Sequence, residues 1–167
     1  MSMRSHDIRP IRAQETRLLR HQLLRPHQLP EQLIYPGDDH PQCFHVGAFH
    51  QNHLVGIASV APETCPVLPG ANAWRLRGMA TRPAVQRQGY GAALVQTCIA
   101  YIHSHGATIL WCHGRTSALP FYRALGFVTH GDEFIAPDTG PHYMCIRIIG
   151  AGIDADVRQM QQEAREQ

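Results

Sequence analysis

Thr81-Arg82-Pro83-Ala84-Val85-Gln86-Arg87-Gln88-Gly89-Tyr90-Gly91-Ala92-Ala93-Leu94 is the stretch whose reading decides the fold. It follows a strand-like run, Trp74 to Thr81, and leads into a helical pattern from Tyr90 to His103. In that pattern Leu94, Val95, Cys98, Ile99 and Ile102 keep the helical period. A strand that feeds a helix through so short a turn presents several unpaired N–H groups and the positive end of the helix dipole. Gly89 and Gly91 let the backbone approach a bulky anion with no Cβ in the way, and Arg87 adds charge. A diphosphate fits this description. A dinucleotide fingerprint would want a third glycine where Leu94 stands and an acid about twenty residues on. A bare G-x-G also serves merely to make a turn tight.

Working outward, Ile8 to Ile11 reads as a strand start, followed by a helix from about Ala13 to Leu24 that Pro26 and Pro30 end. Cys43 to Phe49 and Leu54 to Val60 read as a hairpin across the polar link His50 to His53. After the turn and its helix, capped by Gly106, come a short buried strand at Thr108 to Cys112 and a short helix at Ser117 to Leu125. Strands at Phe127 to Thr129 and His142 to Ile149 close the order. This is a mixed α/β chain with a crossover that makes part of its sheet parallel. One domain over residues 1–150 is expected, with a polar tail of weak helical periodicity over 151–167.

Composition removes several chemistries. All fifteen basic residues counted in the 167-residue chain are arginine. Without lysine there is no Walker-type phosphate loop and no Schiff-base catalysis. The net charge of +2 hides a segregation, because from Thr64 to Gly131 there are six arginines and no acid at all. That segment holds the glycine turn, as an anion site requires, although solvated surface arginines give the same pattern. A nucleic-acid partner is not expected from so modest an excess. Five scattered cysteines without a C-x-x-C pair read as reduced thiols, and no apolar run approaches the roughly 20 residues of a membrane span, so a cytoplasmic protein is expected.

Gln86-Arg87-Gln88-Gly89-Tyr90-Gly91 resembles the Q/R-x-x-G-x-G/A pyrophosphate motif of the GNAT acyl-CoA-dependent N-acyltransferases. Ala118-Leu119-Pro120-Phe121-Tyr122-Arg123-Ala124-Leu125-Gly126-Phe127 is similar to that superfamily's A-x-x-F-Y-x-x-L-G-F signature. The two stand in the family's order, and the resemblance runs from Ile8 to Ile148. It extends to a group of bacterial GNAT proteins with an L-R-H-x-x-L-R-P helix (here Leu19 to Pro26), a Y-P-G-D-D loop (Tyr35 to Asp39), an L-W-C-N-A-R strand end (Leu110 to Arg115) and a G-P-H-Y-x-M final strand (Gly140 to Cys145). The departures are His113-Gly114 for Asn-Ala and Cys145 for Met. The resemblance implies the GNAT fold, a mixed sheet with splayed central strands flanked by helices, and acetyl-CoA as co-substrate. It implies that the N–H groups of Arg87, Gln88, Gly89, Tyr90, Gly91 and Ala92 anchor the diphosphate. Met79, Ala80 and Thr81 would pair with the pantetheine arm, and His113 would replace an Asn contact to it.

Moving an acetyl group from a thioester to an amine requires an anchor, an aligned thioester, a proton acceptor for the amine and a proton for the leaving thiolate. Tyr122 is the candidate donor, its phenol being protonated at neutral pH, although packing beside Phe121 and Phe127 is the plainer role. His142 and Glu133 are the candidate bases. His142 equally suits a structural hydrogen bond, and a loop acid such as Glu133 is usually solvated. The pairs His50/His53 and His103/His105 lie on a hairpin and at a helix end, and no metal is expected. Neighbours Cys112 and His113 point to opposite sides of a strand, which argues against a thiol enzyme. The expected function is N-acetylation of a primary amine by direct attack in a ternary complex. The alternatives are a noncatalytic acyl-CoA-binding module and, behind it, a dinucleotide oxidoreductase. By the resemblance, acceptor choice rests on Leu18 to Pro41 and Glu63 to Asn72, where Asp38, Asp39 and Glu63 hint at a cationic partner. A homodimer through the final strands or the tail is compatible with the sequence.

Overall fold

The computed structural model describes residues 5–150, and the tail over 151–167 lies outside them. Among the described residues seven strands hydrogen-bond in the order β1-β2-β3-β4-β5-β7-β6. They are β1 (Asp7–Ile11), β2 (Phe44–His50), β3 (His53–Pro62), β4 (Ala73–Thr81), β5 (Ile109–Arg115), β6 (Val128–Ala136) and β7 (Gly140–Ile148). The helices are α1 (Ala13–Leu19), α2 (Tyr90–Ser104) and α3 (Leu119–Ala124). The chain divides into two compact units. Among the described residues, one contains 5–61 together with Arg77–Tyr101, and the other contains Pro62–Leu76 and 102–150.

In the first unit the hairpin β2–β3 turns on Gln51 and Asn52, whose φ values of 49° and 62° are the left-handed pair of a tight hairpin turn. Glu15 starts α1 by accepting the Arg12 N–H at 2.6 Å. The helix does not run on as one α-helix to Leu24, as its sequence predicts. From Arg20 to Leu24 it widens into a π-helical turn, closed by Arg25 N–H on the Arg20 carbonyl at 2.9 Å.

That widening places the Arg20 side chain, which is fully buried, at the centre of the unit. Its guanidinium donates to both carboxylate oxygens of Asp38 (2.6 and 2.9 Å), to the Leu33 carbonyl and to Ser59 Oγ, and it stacks over the Tyr35 ring at 4.0 Å. Gly78 makes room for it. With φ of +62°, Gly78 would place a Cβ 3.2 Å from Arg20 Nε and 3.3 Å from the Tyr35 ring. Asp38 therefore already has its cation, and so does Glu63, which pairs with Arg75 at 2.9 Å. Of the three acids that hint at a cationic partner in the sequence, Asp38 and Glu63 thus already have an intramolecular one.

In the second unit β4 and β5 pair in parallel through Ala73–Arg75 and Ile109–Trp111, the first three residues of each strand. β5 then pairs antiparallel with β7 along its whole length, and β7 with β6. Trp111, Ile109, Ile146, Ala73, Cys65 and Leu68 form its apolar core, with Trp111 Nε1–H donated to the Glu63 carbonyl at 3.0 Å. β6 is much longer than the three residues expected from the sequence. The run His130-Gly131-Asp132-Glu133 reads as a turn, yet it is carried past an irregularity in the register, where Gly131 has φ of +76°. Pairing then resumes at Phe134 opposite His142.

Candidate active site

The glycine turn leaves β4 at Thr81, passes through a short 3₁₀ segment at Pro83–Val85 and enters α2 at Tyr90. Two residues in it are left-handed, Arg87 at φ of +63° and Gly89 at +86°. The first helical bond runs from Ala93 N–H to the Gly89 carbonyl at 3.0 Å, so the N–H groups of Tyr90, Gly91 and Ala92 precede the helix's own ladder. Alternating backbone hand just ahead of a 15-residue helix aims successive N–H groups into one concavity. Arg87, Gln88 and Gly89 are exposed there. Met79 and Thr81 are half-buried and Ala80 is buried at the end of β4, directly after the Gly78 that packs on Arg20 and Tyr35.

Two histidines that the sequence does not connect to this turn also stand at it. His6 Nε2–H donates to the Gln88 carbonyl at 2.7 Å, and its ring packs edge-on against Tyr90 at 4.7 Å. His50 Nδ1 meets the Tyr90 hydroxyl at 3.0 Å. No local signal in the sequence connects His6 to a turn some eighty residues away.

The second unit carries the remaining candidates, distributed over the two faces of the β5–β7 ladder. Residues facing one another across this ladder share a face, and neighbours alternate. One face bears Trp111, His113, Arg115, His142 and Met144. Phe134 lies edge-on to His113 (5.0 Å between ring centres) and stacks on His142 (5.9 Å). Arg75 reaches His113 Nδ1 at 3.3 Å and lies 4.5 Å from the centre of the Trp111 ring. His142 is buried, and its Nδ1 lies 2.7 Å from the Gly140 carbonyl. A carbonyl can only accept, so Nδ1 carries the hydrogen and neutral His142 keeps its lone pair on Nε2, the form a base needs. Glu133 is exposed and accepts the Thr116 hydroxyl at 2.7 Å.

The other face carries Cys112, Gly114 and Cys145, with α3 packed on it through Tyr122. The sequence of α3 explains how Tyr122 is held. Pro120 fits the first turn, and Gly126, at φ of +89°, ends the helix. Gly126 N–H then bonds the Arg123 carbonyl and Phe127 N–H bonds the Tyr122 carbonyl, at 3.0 and 3.1 Å. The Phe127 ring stands edge-on to Tyr122 at 5.4 Å. Burial, followed by the neighbouring Cys112 and Cys145 thiols, pushes the Tyr122 phenol well above its ordinary range, so it stays protonated. Two of the three departures from the group pattern, Gly114 and Cys145, lie against Tyr122. A Cβ on Gly114 would come within 2.9 Å of the tyrosine ring and 3.1 Å of Cys145 Sγ.

One metal-capable trio occurs among the described residues. Asp38, Cys43 and His45 bring one ligand atom each within 4.8 Å of one another. Its chemistry is already committed. The carboxylate of Asp38 is held by Arg20, and burial pushes the Cys43 thiol up to about 11. His45 has its pKa lowered by burial and hydrogen-bonds Ser59 Oγ at 2.6 Å.

Against known proteins, residues 8–127 match the model of the acetyltransferase (GNAT) family. The "Uncharacterized N-acetyltransferase YitI" of Bacillus subtilis (strain 168) is 34% identical over 143 residues, which is 86% of this chain and 96% of that protein. Among solved structures, an aminoglycoside 6'-N-acetyltransferase complexed with coenzyme A superposes with a TM-score of 0.65. It is 17% identical and covers 89% of this chain and 99% of that one. Escherichia coli ElaA gives 0.67 at 16% identity, over 86% and 99% of the respective chains. At such identities these two speak for the fold alone.

Proposed function

The chain belongs to the acetyltransferase (GNAT) family and is an N-acetyltransferase, and from that premise we propose that it moves an acetyl group from acetyl-CoA to a primary amine by direct attack in a ternary complex. The observation that carries this reading is the placement of a protonated phenol, Tyr122, and a base-competent imidazole, His142, on opposite faces of the same β5–β7 ladder. Direct transfer needs both groups, a base for the proton the amine loses and an acid for the departing thiolate.

Bound acetyl-CoA supplies an activated acetyl thioester. The turn fits its diphosphate, because the left-handed Arg87 and Gly89 open the backbone there and the first N–H groups of α2 lie outside the helix ladder. The backbone of Met79, Ala80 and Thr81 pairs with the pantetheine arm, and His113 stands where the family pattern has its Asn contact. His142 Nε2 takes the proton that the amine must lose, directly or through water. Tyr122 gives its proton to the thiolate sulfur, and both groups exchange with solvent to reset. The amine's lost proton is thereby balanced by the one gained at sulfur. Glu133, exposed and engaged by Thr116, is the weaker base.

Release of free CoA from acetyl-CoA, measured over a panel of polyamines, amino acids, aminoglycosides and peptides, tests the reading. Turnover on at least one amine is expected. Tyr122→Phe and His142→Gln should each lower kcat by about a hundredfold. Tight CoA binding without turnover on any amine would instead support a noncatalytic acyl-CoA-binding module. Stabilisation by NAD and not by CoA would overturn both.

A further inference from the structure

His6 and His50 reach the glycine turn from the edge of the sheet, and the reaction as described uses neither. Asp7 of β1 is paired with Phe49 of β2, so the next step of that antiparallel register sets His6 beside His50. Arg9 ties this corner together, donating to both carboxylate oxygens of Asp7 and to Asn52 in the β2–β3 turn. Both histidines then meet Tyr90, the first residue of α2. The His6 ring stands edge-on to it at 4.7 Å, and His50 Nδ1 lies 3.0 Å from its hydroxyl.

His6 does more than pack. Its Nε2–H donates to the Gln88 carbonyl at 2.7 Å. In a trans peptide the C=O and N–H point in opposite directions. Holding the Gln88 carbonyl on one side therefore fixes the Gly89 N–H on the other, facing away from His6. The constraint matters at this position, because Gly89 is exposed and a glycine takes either hand, so an unheld peptide plane here is free to turn over. Two further side chains brace the turn, Gln88 Nε2 on the Ala84 carbonyl at 3.2 Å and Gln86 Nε2 on the Thr81 carbonyl at 3.4 Å. Both act on carbonyls upstream of the 88–89 peptide. The fit around His6 is close: a Cβ on Gly89, whose φ is +86°, would lie 3.0 Å from His6 Cε1 and 3.1 Å from Nε2.

We propose that His6 is a positioning residue for the acyl-CoA site: by holding the Gln88 carbonyl it locks the Gly89 N–H toward the diphosphate, so that the edge of the sheet organises the turn before the cofactor arrives. The lock acts on the diphosphate and leaves the pantetheine and acetyl ends of the cofactor alone. The inference rests on the turn being the diphosphate site.

Two substitutions separate the hydrogen bond from the packing. His6→Phe keeps a ring against Tyr90 and removes the donor, whereas His6→Gln keeps an Nε2–H donor and removes the ring. In calorimetric titrations of the whole chain with CoA, His6→Phe should bind about three- to tenfold more weakly than the wild type, the worth of one hydrogen bond. His6→Gln should recover most of that loss. With acetyl-CoA and the amine that turns over fastest in the panel above, the loss should fall on KM and not on kcat. S-acetylpantetheine, which carries the thioester and no diphosphate, should be used with the same kcat/KM by all three proteins. A His6→Phe variant that binds CoA as tightly as the wild type would overturn the proposal. So would an equal loss toward acetyl-CoA and S-acetylpantetheine, which would show a general disturbance of the fold. If the wild type itself takes up no CoA, the acetyl-CoA reading falls and this inference falls with it.

A readout independent of turnover is the Gly89 amide in proton–nitrogen correlation spectra. Saturating CoA should move its proton resonance downfield in the wild type and by clearly less in His6→Phe. An amide that responds identically in both proteins removes His6 from its orientation and overturns the proposal.

Discussion

At Gly114 the missing side chain is the feature that matters. Its hypothetical Cβ would lie 2.9 and 3.0 Å from two ring carbons of Tyr122 and 3.1 Å from Cys145 Sγ, and both of these residues are buried. Overpacking of this kind costs about 1–3 kcal/mol. Gly114→Ala is therefore expected to lower the melting temperature by several degrees and, because the ring that must yield is Tyr122, to lower kcat more than it changes KM. Calorimetry with steady-state kinetics checks both, and a variant that loses stability while keeping kcat would show that the ring tolerates displacement. The identity of Tyr122 as a candidate was legible from its motif. What the sequence did not disclose is its surroundings. Cys112 and Cys145 stand 33 positions apart and meet through strand register, which no local pattern encodes.

Among the elements, the tie between the π-helical turn and the Tyr35–Asp39 loop shows how two separate sequence motifs become one device. Arg20 of the L-R-H segment and Asp38 of the Y-P-G-D-D segment meet in a bidentate pair whose side chains are closed to solvent. Burial pushes the Asp38 carboxyl up, but hydrogen bonding and charge from Arg20 and the Tyr35 N–H outweigh it, leaving the pKa below its ordinary value. A depressed carboxyl contributes stability that is complete above its unfolded value of about 3.9 and disappears as pH falls through the folded one. Acid unfolding should consequently engage this tie below about pH 4. Asp38→Ala strands a buried guanidinium and is expected to cost about 3–5 kcal/mol at neutral pH, read from denaturant midpoints. A loss under about 1 kcal/mol would mean that the pair is solvated. Because Gly78 packs against this pair immediately before Met79, the same variant should also raise KM for acetyl-CoA. The helices and hairpin were readable from periodicity and turn chemistry, whereas β6 was not. Its His130-to-Glu133 run has turn composition, and pairing with β7 overrides it.

Over the whole molecule, the excess of arginine between Thr64 and Gly131 takes on a different meaning once partners are known. Arg75 is neutralised by Glu63, which sits one residue before the acid-free segment begins. Arg77 donates to the Pro36 carbonyl, and Arg82 donates to the Leu54 carbonyl and to Gln22. A count of charges along the chain therefore overstates the field available to an anion. Arg87 differs from these three, since it is exposed and sits within the turn itself. Attraction between an exposed guanidinium and a diphosphate is screened over about 8–10 Å at ordinary salt. KM for acetyl-CoA should consequently rise with ionic strength, while kcat, which the proposed acid and base Tyr122 and His142 would set, holds steady. Arg87→Gln should raise KM severalfold at low salt and flatten its salt dependence, because the charge being screened is then gone. Arg75→Gln should leave that slope as it is, its charge being already paired in the native protein. A salt profile that responds equally to both substitutions would place the field in the segment as a whole and take from Arg87 the particular role that its position in the turn assigns to it.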